Sequence, residues 1–247
     1  MPMKNFLLVL QFLTIFPVPV KTPVQKEDFG KCLLYFPLAG LVIGIILALT
    51  SHILSFMPAL VKSAAILATS AVITGAIHLD GFADSCDGFY AGANKDKTLE
   101  IMRDSHIGTI AVVSLALLLL LKFSLIASMP DDLLVKALIL TAVFSRWAQS
   151  LACISGVYAR QEGKAKYFVE FADKKDIFIG AAFTLCLFIL LMGIKGCVLF
   201  FISTASIFLF LRYANSRIGG VTGDTIGATN EIAEVLSLFC FVAAYYL

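Results

Sequence analysis

Three carboxylates sit at a spacing suited to metal chemistry in the stretch HLDGFADSCDG, which runs from His78 through Asp80, Asp84 and Asp87 to Gly88. On a helix turning about 100° per residue, Asp84 falls about 40° and Asp87 about 20° from Asp80, so all three share one face. Like charges so placed repel by roughly a few tenths of a kcal/mol per pair even in water, and partial desolvation raises the cost. A divalent cation resolves the repulsion. Oxygen ligands without imidazole or thiolate suit Mg2+ or Mn2+ rather than zinc. The competing reading is a solvated acidic cap on a helix end. Downstream, Glu100 and Asp104 form a second i, i+4 pair with Arg103 and His106 beside them, which an ordinary amphipathic helix start would also explain.

A further acidic segment, GGVTGDTIGATNEIAE, carries Asp224 and Glu231 seven residues apart, the separation of Asp80 and Asp87. Its glycines would let backbone N–H groups approach an anion such as phosphate; a flexible turn before a helix N-terminus reads equally well. Two cationic elements could complement phosphate. Arg146 stands inside an apolar run, where an ionisable residue is a functional-site hypothesis by default and a structural ion pair is the alternative. Arg160 belongs to a basic stretch, YARQEGKAK. Metal-binding carboxylates beside basic residues point to phosphoryl transfer, in which a cation neutralises developing charge and a carboxylate takes a hydroxyl proton.

The elements that must position these groups are membrane helices. Of 247 residues, 60% are apolar and 15% charged, well outside the balance of soluble domains. The formal charge of +2 is too small for a nucleic-acid binder. Apolar runs of about 20 residues at 33–57, 63–79, 107–128, 133–155, 177–194, 196–211 and 231–247 predict an all-α, polytopic integral membrane bundle of six to seven spans. Phe6 to Phe16, short and ended by Pro17, is expected as an amino-terminal interfacial or re-entrant helix, and Lys21 to Lys31 as a charged loop. The long polar segments 80–106, 156–175 and 212–230 are expected as loops, and the whole chain, 1–247, as a single membrane-embedded catalytic domain.

Sorting charge by this alternation puts 14 of the 19 Lys and Arg, Lys21 among them, on one side. Lys62, Lys122, Lys136 and Lys195 fall on the other, and Arg146 within a span. Only Asp131 and Asp132 of the acids lie opposite. By the positive-inside rule the charged side is cytoplasmic, so the chemistry should face the cytoplasm. A cation-coupled transporter would instead place its acids near the bilayer midplane. The spacing of Asp80, Asp84 and Asp87 is also similar to that of the CDP-alcohol phosphotransferases, though the rest of that signature is absent.

The motifs HLDGFADSCDGFYAG and LEIMRDSHIGTIAV resemble the signature of the cobalamin synthase family, the adenosylcobinamide-GDP ribazoletransferases. QFLTIFPVPV, YFPLAGLVIG, FSRWAQ, the segment around Arg160 and GGVTGDTIGATNEIAE extend the resemblance along the chain. Ile15 departs from it, standing where the family usually has Arg. The resemblance implies a multi-pass, Mg2+-dependent transferase of the bacterial or archaeal cytoplasmic membrane. Its substrates would be adenosylcobinamide-GDP and α-ribazole or its 5′-phosphate, with GMP released. Homo-oligomers, or complexes with other cobalamin-assembly enzymes in contact with membrane lipid, are compatible with that role. It further implies that Asp80, Asp84, Asp87 and Asp104 hold Mg2+. Asp84, Asp87, Asp224 and Glu231 would be catalytic, and Arg146, Arg160 and Arg103 would grip phosphate.

Overall fold

The computed structural model describes residues 2–20 and 22–246; Met1, Lys21 and Leu247, the last residue of the final expected span, lie outside them. Helices α1 (Pro2–Leu13), α2 (Lys26–Cys32), α3 (Phe36–Ile53), α4 (Ala59–Thr74), α5 (Ile77–Ala91) and α6 (Lys95–Ile101) come first. Then follow α7 (Thr109–Ala127), α8 (Asp131–Cys153), α9 (Lys166–Glu170), α10 (Lys174–Ile218) and α11 (Gly223–Tyr246). The chain is an all-α membrane bundle. Four helical runs are long and apolar enough to cross a bilayer, and α4 with α5, bent by 91°, makes a fifth candidate.

At 45 residues, α10 would be about 68 Å long if straight, twice the hydrocarbon thickness. It folds back at Gly193, whose φ of 60° and ψ of −144° lie outside the helical region. The rings of Phe188 and Phe200 accordingly meet at 5.8 Å, where a continuous helix would hold them about 18 Å apart. The expected hairpin of spans is therefore present. The 23-residue α8 and each arm of α10 are also near the length of a span.

Helix α8 is the axis of the bundle, buried continuously from Leu140 to Cys153. Its contact with α3 is a close backbone approach. Gly44 lies where a β-carbon would sit 2.7 Å from the Ile139 Cα, and one on Gly40 would clash with the Ala142 carbonyl. This Gly40–Gly44 pair uses small residues at i and i+4 to let membrane helices touch. Lipid-facing positions such as Leu120, Leu190, Ile194 and Leu209 are exposed and apolar, while polar side chains turn inward.

Those inward polar groups form a charged cluster. Lys122 of α7 reaches Glu231 at 2.5 Å and Glu234 at 2.6 Å, both on α11. Arg146 of α8, 1% exposed, reaches the other oxygen of Glu234 at 2.6 Å, and the Asn230 amide donates to both acids. Two cations thus meet two anions and no net charge is left in the bundle. Lys122, expected on the side opposite the long loops, is inside, because α11 supplies its counter-ions there.

Several expected loops are helical. Segment 80–106 holds most of α5 and all of α6, and of 212–230 only 219–222 stays outside a helix. Gly219, at φ 67°, ends α10, and reciprocal backbone-to-hydroxyl bonds between Thr222 and Thr225 begin α11. Their polarity reads as loop only until these caps are counted. The first helix also runs earlier than expected, stopping at Leu13 because Phe16 precedes a proline. Within the expected charged loop, Asp28 accepts from the Gln25 N–H at 2.8 Å and so starts α2.

Two outcomes check this packing. Gly40→Val should force α3 from α8 and lose the monodisperse folded protein in detergent, whereas Gly223→Ala, with its nearest neighbour at 3.7 Å, should melt as wild type does. Lys122→Met should cost about 3–5 kcal/mol in reversible unfolding from bicelles by leaving one acid unmatched. Adding Glu231→Gln should recover part of that loss.

Candidate active site

At the end of the bundle away from the Lys62–Asp131 ion pair, α5 crosses α11 through two glycines. A β-carbon at Gly81 would lie 2.9 Å from the Asp224 carbonyl oxygen, and one at Gly227 3.5 Å from the Gly81 and His78 Cα atoms. The crossing sets Asp80 and Asp84 on one helix beside Asp224 on the other. Asp84 lies within electrostatic reach of Asp224, Asp80 and Arg160.

Arg160 arrives on the loop between α8 and α9. Two backbone bonds hold that loop to the turn before α11, from Ala159 N–H to Val221 O at 2.8 Å and from Val221 N–H to Val157 O at 2.9 Å. Gly220 must be glycine here, since a β-carbon would clash with the Val157 carbonyl. The clamp carries the guanidinium to the Asp224 carboxylate, Nη2 to Oδ2 at 2.6 Å, in ionic contact without hydrogen-bond alignment. Burial holds the nearby Tyr158 phenol above its usual range, against the pull of the Arg160 charge, so it remains a donor.

Asp80, Asp224, Arg160 and Lys164 border the mouth of a cavity of about 280 Å3 that runs inward between α5, α8 and α11. Arg160 also borders a wider surface cleft with Arg103, Asp96 and Glu100. Arg160 thus stands between the cavity and this cleft. A doubly charged phosphate ester bridging them would meet Arg160 from either side.

The other candidate acids have partners of their own, although Asp87 is still within electrostatic reach of Asp84. Asp87 shares its face with Asp80, but seven residues of helix rise put it about 10 Å farther along. Its two oxygens accept the Gly108 and Ala111 N–H groups at 2.6 and 2.8 Å, capping α7. Asp104 is exposed and accepts from the His106 backbone N–H and ring, which hold its carboxyl below the usual range. Glu231 shares the Asp224 face of α11 by the same period, yet lies about 10 Å deeper, with Arg146, in the charged cluster.

Among the described residues no three Asp, Glu, His or Cys side chains converge tightly enough to hold a metal by themselves. The donors at the mouth are nevertheless all carboxylate oxygens. That set fits Mg2+, which is held by one or two carboxylates together with substrate phosphates rather than by a full protein cage.

Sequence reasoning missed four participants. Lys122 stands alone in the apolar run LLLLLKFSL, the signal that drew attention to Arg146, and Glu234 follows Glu231 by one helical turn. The His78 Nδ1 faces the Gln149 amide nitrogen at 3.1 Å. Nothing in the spacing of His78 and Gln149, 71 residues apart, announces that pairing.

The model of the cobalamin-5-phosphate synthase family matches residues 5–242. An adenosylcobinamide-GDP ribazoletransferase of Clostridium tetani is 37% identical over 246 residues, covering 98% of each chain. Proteins of the same name from Acetivibrio thermocellus and Geotalea daltonii are 37% and 34% identical, over 97% and 98% of each chain. No solved structure matches. A helical membrane bundle with acidic motifs and Arg160 at one end, matched along nearly its whole length, belongs to the cobalamin-5-phosphate synthase family.

Proposed function

We propose that the chain joins adenosylcobinamide-GDP to α-ribazole, or to its 5′-phosphate, releasing GMP, with Mg2+ bound and the site facing the cytoplasm. The observation that carries this reading is the Arg160–Asp224 pair set beside Asp80 at the cavity mouth, with Asp84 within electrostatic reach of all three. The names of its relatives supply the substrates, and the charge asymmetry of the sequence supports the cytoplasmic orientation.

In this reading a ribose hydroxyl of the acceptor forms a new bond to the phosphorus attached to cobinamide. The bond from that phosphorus to the bridging oxygen breaks, and GMP leaves with the oxygen. Asp224 at the mouth, or Asp84 within its electrostatic reach, takes the hydroxyl proton, since neither has a structural bond that consumes both oxygens. Arg160, between cavity and cleft, grips the phosphate oxygens bidentately, and Arg103 adds charge on the side where GMP departs. Mg2+, when held by Asp80, Asp84 and Asp224, would neutralise charge on the pyrophosphate. Asp87 serves as a positioning residue through its bonds to the start of α7, while Glu231 and Arg146 hold α11 in place from within the bundle.

The test is GMP release by purified protein supplied with both substrates and Mg2+. Asp84→Asn and Asp224→Asn should each lower the rate by about 100-fold or more while the protein stays folded. Asp104→Asn, at an exposed pair, should lower it by less than about tenfold. Full turnover in both of the first two variants would remove the site assignment. Chelation should abolish turnover and Mg2+ restore it; turnover indifferent to chelator would remove the metal.

A further inference from the structure

Behind the charged mouth the cavity changes character. Phe12, Phe36 and Phe168 wall it, with Phe168 ring centroids 4.7 Å from Phe12 and 5.5 Å from Phe36. Two polar side chains also line it, His78 and Gln149, 4% and 2% exposed. Their pairing leaves atoms over. The Gln149 amide nitrogen donates to His78 Nδ1 at 3.1 Å, which places the ring proton on Nε2. His78 Nε2 and Gln149 Oε1 are both buried with no partner among the described residues. Buried polar atoms left unpaired carry a penalty of about 1–3 kcal/mol each, so a pair of them lining a cavity marks a place where something binds.

The His78 Nε2–H asks for an acceptor and the phenylalanine walls ask for a flat, mostly hydrocarbon body carrying one ring nitrogen, with Gln149 Oε1 left to a water. A guanine would bring a dense edge of donors and acceptors that apolar walls cannot meet, and a corrin macrocycle is too large for about 280 Å3. A benzimidazole joined to ribose has one unsubstituted ring nitrogen and otherwise apolar edges. We propose that the cavity seats the heteroaromatic base of the acceptor nucleoside, with His78 Nε2 donating to its free ring nitrogen. The proposal rests on the reaction assigned above and adds the residues that choose the acceptor. With the base inside, its ribose reaches the mouth, where Asp80, Asp224 and Arg160 stand. Gln149 acts as a positioning residue by fixing the His78 tautomer.

The experiment measures KM for acceptor and donor separately through GMP release by the full-length protein in nanodiscs. Wild type is compared on benzimidazole riboside and on indole riboside, which has the same shape with a C–H in place of the ring nitrogen. Indole riboside should show a KM about tenfold higher, the worth of one buried hydrogen bond. His78→Phe should raise the benzimidazole KM about tenfold, leave the donor KM within about twofold, and erase the preference between the two acceptors. His78→Gln, which keeps an N–H donor, should restore part of it. Equal KM values for the two ribosides in wild type would overturn the proposal whether or not any variant folds, as would a rise in donor KM matching the acceptor's in His78→Phe. GMP release from neither acceptor would instead overturn the assigned reaction, and this proposal with it.

Discussion

A bundle this apolar tolerates charge in its interior only where the charges cancel, and that condition organises the structure. Lys122, Arg146, Glu231 and Glu234 come from three helices and satisfy one another within about one helical turn. Breaking any one contact leaves a charge in a low-dielectric interior, so α7, α8 and α11 cannot slide independently. Helix α11 is thereby held at a fixed depth. Its other end carries Asp224, and the same anchoring fixes how far that carboxylate projects at the mouth.

The second constraint is close backbone approach. Gly40 and Gly44 seat α3 on α8, while Gly81 and Gly227 seat α5 against α11. Since α5 turns 91° away from α4, it reaches α11 only because side chains are absent at the crossing. Arg217 secures the far end of α5, donating to the Phe89 and Gly92 carbonyls at 2.8 and 2.9 Å. Where glycines let helices touch, the flanking residues His78, Asp80 and Asp224 are brought to one cavity. The motifs HLDGFAD and GDTIGAT are therefore contact surfaces as much as ligand sets.

The helical membrane architecture, the α10 hairpin and the family were legible in composition and motif. Depth was not. A seven-residue period keeps Asp80 with Asp87, and Asp224 with Glu231, on one face, but face says nothing about the rise of about 10 Å between them. That rise separates mouth from interior on α11, and mouth from the start of α7 on α5. It sends Asp87 to cap α7 and Glu231 to Lys122. Lys122 was sorted by its place beside a turn, although a lone cation in an apolar run asks for a buried partner as surely as Arg146 does. The Arg160–Asp224 and His78–Gln149 pairs join residues 64 and 71 positions apart. The Val157–Ala159 clamp brings the first pair together, and the packing of α5 and α8 on α11 the second.

Charge in this chain has two uses, a neutral set that locks the membrane interior and a set at the mouth open to ligand. The most direct test is the position of the pyrophosphate in a structure determined with adenosylcobinamide-GDP and Mg2+. Its oxygens should lie within hydrogen-bond reach of Arg160, with metal between them and the carboxylates of Asp80, Asp84 and Asp224. A pyrophosphate bound at the opposite end of the bundle, or away from Arg160 against Arg146 and Lys122, would contradict it.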